Sequence, residues 1–393
     1  MSNSYFGLRR LAQSDPSAAK RCAERLLAMR ASLDAIRRRK NDGSLLLATW
    51  NIRDFDSNKF GFGPRLPETF YYIAEIISCF DLVALQEVNR DLNALEQVMR
   101  ILGREWDYIA TDTTGGTSGN DERMAFVYNT EKVWFRKIAG EVVLPEGQLI
   151  VARKKLKPPQ EQDPADRPDA SSQTEARKDY EEVRQQFART PFLVAFQSGW
   201  FRFSLCTVHI YYGRDSGEQL ARRIAEIERL VKFFAERQDA ASGQERDEMG
   251  NVENYILLGD FNVISPDHKT MQALKSEGFT VPAAIDGRKV RTETDHFYDQ
   301  IATRVKDARF KVAGGGLVDI YADVFRDTDE DRELYKAHLP KKDPEKNERF
   351  RAKTPEDLYR KWRTWQMSDH RPLWVEISTD FADSYLQSFT AEP

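Results

Sequence analysis

The chain has 393 residues, of which 40% are hydrophobic and 31% charged, and its formal net charge is -4. This length and composition are typical of a globular protein with one large domain or two ordinary ones, and they exclude a fibrous or largely disordered chain. The weakly acidic total charge does not indicate nucleic acid, so any surface that binds phosphate has to be assembled locally.

The opening residues and the cysteines restrict the environment of the protein. The stretch MSNSYFGLRRLAQSD lacks the apolar centre of a secretory signal, and no run approaches the roughly 18 apolar residues that a membrane span needs. Cys22, Cys79 and Cys206 are far apart and odd in number, which argues against a disulfide framework and against a zinc cluster. We therefore expect a cytoplasmic protein without a membrane span, in which the cysteines are small buried side chains.

Residues 1–43 predict a basic helical extension. Leu26, Met29, Leu33 and Ile36 recur three or four residues apart, as they do on one face of a helix. Residues 1–40 carry ten Lys or Arg against three Asp or Glu, an excess of seven positive charges. A nucleic-acid or membrane contact and a helix docked on the main domain both fit this pattern, and we favour the docked helix because a charge run alone is a weak sign of binding. The oligomeric state stays open, with this helix as a surface for another copy or a partner.

From Ser44 onward, short apolar runs alternate with amphipathic segments. Helices are predicted over 68–80, 92–103 and 219–237, and strands over 45–52, 82–88, 124–129, 191–197, 201–210, 255–262 and 373–378. This alternation predicts packed sheets with helices outside, in a domain over 44–380 followed by a tail over 381–393. Two polar, charged segments, at about 153–180 and 325–358, are predicted to be surface insertions, mobile or helical, rather than core.

Polar side chains stand at the ends of several predicted strands. An aspartate at the rim of a hydrophobic strand is costly unless a cation or a hydrogen-bond donor meets it. In layered α/β folds such residues gather at one rim, where ligands bind. Carboxylates, amides and imidazoles without cysteine suit magnesium or manganese and phosphate esters rather than structural zinc. The residues concerned are Asn51, Glu87, His209, Asp260, Asn262, Asp369 and His370.

Six short motifs occur in an order that resembles the endonuclease/exonuclease/phosphatase superfamily. They are TWN (49–51), LQEV (85–88), TVH (207–209), GDFN (259–262), YDQI (298–301) and SDHRP (368–372), and the resemblance covers about residues 44–378. It implies an α+β fold like that of deoxyribonuclease I, a four-layer α/β/β/α sandwich of two mixed β-sheets. It also implies hydrolysis of phosphate esters with Mg²⁺, or alternatively Mn²⁺, as cofactor.

The resemblance assigns the metal and the attacking water to residues of the first, second, fourth and sixth motifs. Glu87 is similar to the principal metal ligand, with Asn51 beside it to orient a metal-bound water or a phosphate oxygen. Asp260 resembles the residue that orients or deprotonates the attacking water. The resemblance also implies that Asp260 and Asp369 both lie near the metal. Asn262 resembles the amide that holds the phosphate or a water on a second metal.

The remaining matches concern the histidines and the phosphate. His370, paired with its neighbour Asp369, resembles the histidine that binds the scissile phosphate or acts as a base. His209 resembles a second catalytic histidine, which Glu122 would orient, although Glu122 could instead pair with Arg123 on the surface. Asp299 matches the remaining family carboxylate.

Arg189, in ARTPFLVAF, resembles an arginine that clamps phosphate, since a guanidinium offers a planar grip on a phosphodiester. The alternative is that Arg189 only begins a strand after a charged insertion.

Departures from the family pattern bear on the substrate. Arg53 stands where some relatives have an acidic ligand, and Asn120 stands where deoxyribonuclease I has a tyrosine in the minor groove. The loop with Gly115–Gly116 and residues 118–123 looks flexible enough to admit a polymer. The aspartate motif reads GDFNVI, and the later motif reads YDQI. Both differ from the motifs that the inositol polyphosphate 5-phosphatases have at these places, so the nuclease side of the superfamily fits better.

These features favour a magnesium-dependent phosphodiesterase whose partner and substrate is nucleic acid, with DNA favoured over RNA. The runner-up is a phosphatase or phospholipase C-like hydrolase of the same fold that acts on a small phosphoester or a lipid head group, and net acidity favours it. A binding module with a decayed site is disfavoured because every core motif position carries a chemically competent residue.

Two tryptophans precede the last motif. Trp362 and Trp365, in YRKWRTWQMSDH, could stack on bases at the edge of the site. Aromatic residues three apart are more often the packed face of a helix, which is the interpretation we favour.

Overall fold

The computed structural model describes residues 3–58, 60–113, 122–155, 180–241, 253–340, 352 and 354–390. Three predictions therefore fall outside these residues, wholly or in part. They concern the loop at 115–121 with Asn120, residues 156–179 of the first predicted insertion, and residues 341–351 of the second.

Strands and helices alternate along the described chain. The strands are β1 (Ser44–Phe55), β2 (Leu82–Val88), β3 (Trp106–Ala110), β4 (Arg123–Asn129), β5 (Trp134–Glu141), β6 (Ile150–Lys155), β7 (Tyr180–Gln185), β8 (Phe192–Ser198), β9 (Phe201–His209), β10 (Tyr255–Asp260), β11 (Asp299–Arg304), β12 (Val312–Leu317) and β13 (Leu373–Ser378). The helices are α1 (Leu8–Ser14), α2 (Pro16–Ser32), α3 (Asp34–Arg37), α4 (Pro67–Ile77), α5 (Asn93–Leu102), α6 (Gly217–Ala241), α7 (Lys269–Leu274), α8 (Asp329–Tyr335), α9 (Pro355–Gln366) and α10 (Ala382–Gln387).

The strands build two mixed sheets flanked by helices. The first sheet has the order β12-β13-β1-β2-β4-β3, with β1 and β2 parallel and the other neighbours antiparallel. The second has the order β11-β10-β9-β8-β5, and here β9 and β10 are the parallel pair. A hairpin of β6 and β7 stands apart. The α+β class and the two mixed sheets predicted from the sequence are confirmed.

Strand β1 is buried on both faces, because its side chains alternate between two cores. Leu45 and Leu47 pack in a core that also contains residues of β8 and β9 from the second sheet. Leu46 and Ala48 pack in the other core, with residues of α2 and α4. The alternation follows from the two-residue period of a strand, which sends successive side chains to opposite faces.

The N-terminal extension is docked on the domain. Arg21 and Glu68 form a bidentate pair with contacts of 3.0 and 2.6 Å, and Arg30 and Arg37 both donate to the fully buried carboxylate of Glu75. The basic charges of α2 and α3 that face α4 are therefore neutralised inside the protein, as the docked-helix interpretation predicted. None of the described helices is both long enough and apolar enough to span a membrane.

The segment at 325–358, predicted to be a surface insertion rather than core, sends three side chains of its first part into the core. Phe325, Asp331 and Tyr335 have no exposed surface, and Tyr335 donates a hydrogen bond of 2.8 Å to Glu68. Asp331 is buried because Arg25 meets it with a contact of 2.6 Å. The described part of this segment therefore combines an exposed polar surface with a few side chains that anchor it in the core.

Six strands were not predicted, namely β3, β5, β6, β7, β11 and β12. Strand β5 lies at the edge of its sheet and leaves Trp134 66% exposed and Ile138 59% exposed, so it shows no alternation of apolar and polar residues. Strand β12 reads VAGGGL, and glycine-rich segments have low strand propensity. These strands form because neighbouring strands pair with them.

Candidate active site

Strand register brings the predicted polar residues to one rim of the two sheets. Asp260, the last residue of β10, pairs with His209 of β9 on one side and with Asp299 of β11 on the other. In the first sheet, Asn51 of β1 pairs with Gln86, the residue before Glu87 in β2. The two sheets face each other, so residues that are more than two hundred positions apart in sequence come into contact.

The backbone is unusual at the points where the strands end. Glu87 has φ 59° and Asn262 has φ 52°, both in the left-handed region. The pairing of β2 with β4 shifts register between Leu85 and Val88, next to Glu87. Residues held in sparsely populated backbone regions cluster at functional sites, where the surrounding structure imposes them.

A buried polar network joins the sheets directly below this rim. Gln86 donates hydrogen bonds of 2.9 Å to Thr207 and 3.1 Å to Thr49, and all three residues lack exposed surface. A buried amide must be hydrogen-bonded to avoid a large desolvation cost, so this network holds β1, β2 and β9 in one register.

Asn51 connects the two carboxylates at the centre of the site. Its amide nitrogen lies 2.9 Å from Glu87 Oε1 and 3.2 Å from Asp260 Oδ2, and the backbone N–H of Asp54 donates to Glu87 Oε2 at 3.0 Å. Among the described residues, no lysine or arginine forms an ion pair with Glu87 or Asp260, and the nearest basic groups are histidine rings. Two neighbouring carboxylates in this setting require a counter-charge, and a divalent cation fits.

The candidate metal ligands can be grouped in two ways that share Glu87. Asn51 brings Glu87 and Asp260 together, whereas Glu87, Glu122 and His209 also have ligand atoms within 4.8 Å of one another. The carboxylate of Glu122 already faces Arg189 Nε at 2.9 Å and His209 Nδ1 at 3.0 Å. We therefore favour the site of Glu87, Asn51 and Asp260, because its carboxylates lack a lysine or arginine partner among the described residues.

His209 lies against Glu122. The ring places Nδ1 3.0 Å from Glu122 Oε2 and turns Nε2 toward the centre of the site, 3.7 Å from Asp260 and 3.9 Å from Glu87. The alternative partner of Glu122, Arg123, instead donates to the Thr111 carbonyl at 2.6 Å. The predicted proximity of His209 and Glu122 is thus present in the structure.

His370 is held by Asp299 and not by Asp369, with which the sequence paired it. Nδ1 lies 2.5 Å from Asp299 Oδ2, whereas the nearest Asp369 oxygen is 4.0 Å from Nε2. Burial lowers the pKa of His370, but the Asp299 carboxylate outweighs it and raises this pKa to about 9. Arg291 opposes a charged ring, because its Nη1 lies 2.9 Å from Nε2 and can donate only to an unprotonated nitrogen. The contact with Arg291 thus fits a ring with its only proton on Nδ1, whereas a pKa of about 9 adds a second proton on Nε2 at neutral pH, where the ring and Arg291 repel each other.

Asp369 lies between two arginines. Arg291 Nη1 is 2.6 Å and Arg53 Nη1 is 3.4 Å from Asp369 Oδ2. Burial opposes ionisation of Asp369, but Arg291 and Arg53 together hold its pKa below the ordinary range. Sequence reasoning missed Arg291, since it lies in KVRTETDHF, away from any strand end, and no motif marks it.

Asn262 stabilises the turn that carries Asp260. Its side-chain nitrogen donates 2.7 Å to the Ile210 carbonyl, and its backbone N–H donates 2.9 Å to Asp260 Oδ1. Burial raises the pKa of Asp260, but His370 and His209 outweigh it, and the net shift is downward. Asp260 is therefore an ionised carboxylate at neutral pH.

Two buried charged residues of α6 support the site from behind. Glu226 accepts the backbone N–H groups of Ala188, which precedes Arg189, and of Tyr211, which follows His209 by two residues. Arg223, which has no exposed surface, donates to the Asn262 carbonyl at 3.2 Å. Neither residue stood out in the sequence, where both fit an ordinary amphipathic helix.

The site opens into a cleft of about 560 Å³. Its floor contains Glu87, Asp260, His209 and His370. Basic and aromatic side chains form much of the rest of its lining, namely Arg53, Arg189, Arg291, Lys361, Phe60, Tyr212, Tyr298 and Trp365. A polar cleft with convergent charged groups is the usual form of an active site.

No protein-family model and no curated protein sequence matches the chain. In structure it is similar to an endonuclease/exonuclease/phosphatase family protein from Bacteroides thetaiotaomicron, with 18% identity, a TM-score of 0.46, and coverage of 86% of this chain and 95% of the other. It is also similar to the human Nocturnin catalytic domain with bound sulfate (12% identity, TM-score 0.47, coverage 86% and 95%). A third similar structure is D. rerio TDP2 with a single-strand DNA product (12% identity, TM-score 0.47, coverage 86% and 100%).

Proposed function

We propose that the protein is a divalent-metal-dependent phosphodiesterase of the endonuclease/exonuclease/phosphatase superfamily that hydrolyses nucleic acid, with DNA as the leading substrate and Mg²⁺ or Mn²⁺ as the cofactor. One observation carries this proposal. Glu87 and Asp260 meet at a single amide, that of Asn51, at the base of a cleft rich in arginine, and no described lysine or arginine pairs with either carboxylate.

Each residue of the floor has a distinct task in this reaction. A divalent cation would be held by Glu87 and by the Asn51 amide turned so that its oxygen, rather than its nitrogen, faces the carboxylates. This cation would neutralise charge on the phosphate and stabilise the charge that develops in the transition state. Asp260, as an ionised carboxylate, orients the attacking water and accepts its proton. His370, fixed by Asp299, faces the same space from the other side of Asp260, with Nε2 3.9 Å from Asp260 Oδ2.

His209 supplies a second imidazole. Because Glu122 lies against Nδ1, the ring presents Nε2 to the cleft, where it can donate to a phosphate oxygen or to the leaving group. Arg189 bonds Glu122 with its Nε and also lines the cleft, so it can contribute positive charge for a phosphodiester.

Aromatic and basic side chains around the floor support a nucleic-acid substrate. Bases stack on aromatic rings, while arginine contacts the phosphates of the backbone. Phe60 and Trp365 lie next to each other with ring centroids 4.7 Å apart, and Tyr212 and Tyr298 form a second pair at 6.0 Å. All four residues line the cleft with Arg53 and Arg291. The GDFN and YDQI motifs support the same side of the superfamily.

A small phosphoester or a lipid head group is the second candidate. A formal net charge of -4 disfavours binding to a long polyanion and leaves a small substrate unaffected. A cleft of about 560 Å³ also matches the usual size of a small-molecule site.

Hydrolysis assays on a panel of substrates test the proposal. Supercoiled plasmid, linear duplex, single strands, RNA and phosphoinositides are each incubated with Mg²⁺, Mn²⁺ or EDTA. We expect metal-dependent cleavage of DNA, and a loss of roughly 10²–10⁴-fold in kcat for Asp260→Asn, because the water loses its proton acceptor. The matched control is Asp307→Asn, which alters a carboxylate that pairs with Arg309 outside the cleft.

Salt dependence separates the two candidates. Binding to long DNA through several phosphate contacts weakens steeply as salt rises, whereas hydrolysis of a small ester does not require those contacts. Phosphate release from inositides with DNA left intact would replace the first candidate by the second. Equal hydrolysis by the wild type and Asp260→Asn would contradict both.

A further inference from the structure

Arg291 is fixed against the segment that carries Asp369 and His370. Its backbone forms an isolated antiparallel bridge with His370, and the flanking N–H of Thr292 donates to the Asp369 carbonyl at 2.9 Å. On the other side, the N–H of Arg371 donates to the Val290 carbonyl at 2.8 Å. The loop and the SDHRP motif therefore move as one unit, and the guanidinium has a defined place in the cleft.

The side chain of Arg291 is oriented as well as anchored. Nη1 contacts both Asp369 Oδ2 at 2.6 Å and His370 Nε2 at 2.9 Å, and the guanidinium lies over the ring of Tyr298 at 5.5 Å. Its Nε is buried and has no hydrogen-bond partner among the described residues. A guanidinium has five N–H donors, so an anion in the cleft would find donors that the protein leaves unused.

Charge accumulates on this side of the site. Asp369 contacts two guanidiniums, those of Arg291 and Arg53, so one positive charge remains after the three groups are summed. Arg53 is further fixed by the ring of Trp365, 4.1 Å from its guanidinium carbon, and by a hydrogen bond to Thr364. Glu293 lines the same wall. Its side chain is exposed, yet partial burial of its carboxyl and the nearby Asp369 raise its pKa, and its carboxylate offsets part of this positive charge.

A second metal on this side of the site would need acidic ligands that are not already paired with arginine. Arg53 follows Asn51 by two residues, the place at which some members of the superfamily have an acidic ligand. Asp369, the other acidic candidate on this side, is already neutralised by the arginines. The only carboxylates of the floor without an arginine or lysine partner among the described residues are Glu87, Asp260 and Asp299, and Asp299 faces His370.

We propose that Arg291, held in place by Asp369, binds an oxygen of the substrate phosphate and supplies the second positive charge of the site, so that the protein uses one divalent cation at Glu87 and none at Asp369. The inference rests on the proposed function for the identity of the substrate as a phosphate ester. Asp260 lies 3.2 Å from the amide of Asn51, which contacts Glu87, and 3.9 Å from the ring of His370, which contacts Arg291. A phosphate held from both sides would therefore lie close to the carboxylate that activates the water.

Calorimetric titration of the full chain with Mn²⁺ tests the metal side of the inference. We expect one equivalent of Mn²⁺ for the wild type and one for Asp369→Asn, and a binding constant at least tenfold weaker for Glu87→Gln. Two equivalents in the wild type with one lost in Asp369→Asn would overturn the inference, because Asp369 would then be a metal ligand.

Titration with inorganic phosphate in EDTA tests the anion side. Arg291→Met should bind phosphate roughly tenfold to hundredfold more weakly, the range expected for a lost hydrogen bond to a charged group. Arg309→Met, which removes an arginine that pairs with Asp307 outside the cleft, should bind as the wild type does. Equal phosphate affinity in Arg291→Met and Arg309→Met would overturn the inference.

Two controls distinguish a loss of phosphate binding at Arg291 from misfolding of the variant and from failure of the proposed function. A melting curve is recorded for each variant. If Arg291→Met melts early, Arg291→Lys replaces it, because lysine keeps the charge but loses the planar fork. Arg291→Lys should weaken phosphate binding by a smaller factor than that expected for Arg291→Met, and wild-type affinity of Arg291→Lys would count against Arg291. Both titrations are made without turnover. If Mn²⁺ and phosphate bind as expected but no ester is hydrolysed, the proposed function fails while the assignment of Arg291 stands.

Discussion

Gly259 is the residue at which a side chain would most disturb the site. Its φ is +128°, and a Cβ there would lie 2.2 Å from the Val208 carbonyl oxygen and 2.9 Å from the Val208 nitrogen. The first letter of GDFN is therefore required by the close approach of β10 to β9 rather than by chemistry. This approach places Asp260 directly beside His209.

Gly259→Ala should destabilise the protein by about 2–4 kcal/mol, because overpacking and an unfavourable φ act together. Urea unfolding followed by circular dichroism measures this loss. The control is Gly140→Ala in β5, where a Cβ meets no atom within 4 Å. Equal stability of the two variants would show that the strands can separate to admit a methyl group at no cost.

Contacts at the residue scale also decide the roles of the two aspartates near His370. In the sequence Asp369 is its neighbour, yet Asp299, seventy-one positions away, is the carboxylate that faces Nδ1. Neighbours in a motif therefore need not pair with each other. The aspartate of YDQI thus has a clear structural partner, whereas that of SDHRP belongs to the arginines.

At the scale of elements, α9 resolves the question raised by its two tryptophans. Trp362 is 1% exposed and packs edge-on against Phe325, in the core below the helix. Trp365 is 8% exposed, stacks on Phe62 with ring centroids 5.3 Å apart, and also lines the cleft. The packed-face interpretation therefore describes Trp362 fully, while Trp365 both packs and faces the site.

Trp365→Ala should lower the free energy of unfolding by about 3 kcal/mol, the lower end of the range for a buried tryptophan, and change cleavage selectivity less than stability. Thermal melting and cleavage of single-stranded and duplex DNA are the measurements. Trp134→Ala, at a tryptophan that is 66% exposed, is the matched control and should melt close to the wild type. An unchanged melting temperature with lost DNA binding in Trp365→Ala would show that this ring acts on the substrate instead.

Helix α6 combines an apolar packing face with a buried charged residue that supports the site. Its apolar face packs in the core through Ile227, Leu230 and Val231, as its periodicity predicted. Glu226 lies on the same buried side, and burial raises its pKa above the ordinary value because the charged form is poorly solvated there. It holds the backbone next to Arg189 and His209, which is a role that no pattern within the helix reveals.

At the scale of the whole molecule, the N-terminal extension is part of the folded domain. Its carboxylate partners, Glu68, Glu75 and Asp331, come from α4 and α8 and are essentially buried. Much of the positive excess in residues 1–40 is thereby committed to ion pairs, among them Arg39 with Glu376 and Lys40 with Asp81. A basic sequence segment does not have to be a basic surface.

Glu75→Gln should destabilise the protein by about 2–3 kcal/mol, below the 3–5 kcal/mol of a fully buried pair because Arg30 is 37% exposed. Its affinity for DNA should stay the same. The control is Asp34→Asn, which breaks the exposed pair with Arg38 and should change stability by less than about 1 kcal/mol. Urea unfolding and a DNA-binding isotherm are the measurements, and a large change in DNA affinity with unchanged stability would revive the nucleic-acid interpretation of this helix.

The sequence by itself determined the strands and helices that carry strong apolar periodicity, because local burial patterns are written in neighbouring residues. It also determined which polar residues cap those strands, and the six motifs predicted the two mixed sheets that the structure shows. Edge strands such as β5, which depend on a partner for their formation, left no such pattern.

Only the tertiary structure decided which polar groups meet. The partners of Asp369, His370 and Asp331 come from distant parts of the chain, and their pairing depends on strand register and on how two sheets and their helices pack. Charge in particular is a property of the assembled site: the same arginine is a solvated cation in a loop and, like Arg291, a fixed positive group once the fold places two acceptors around it.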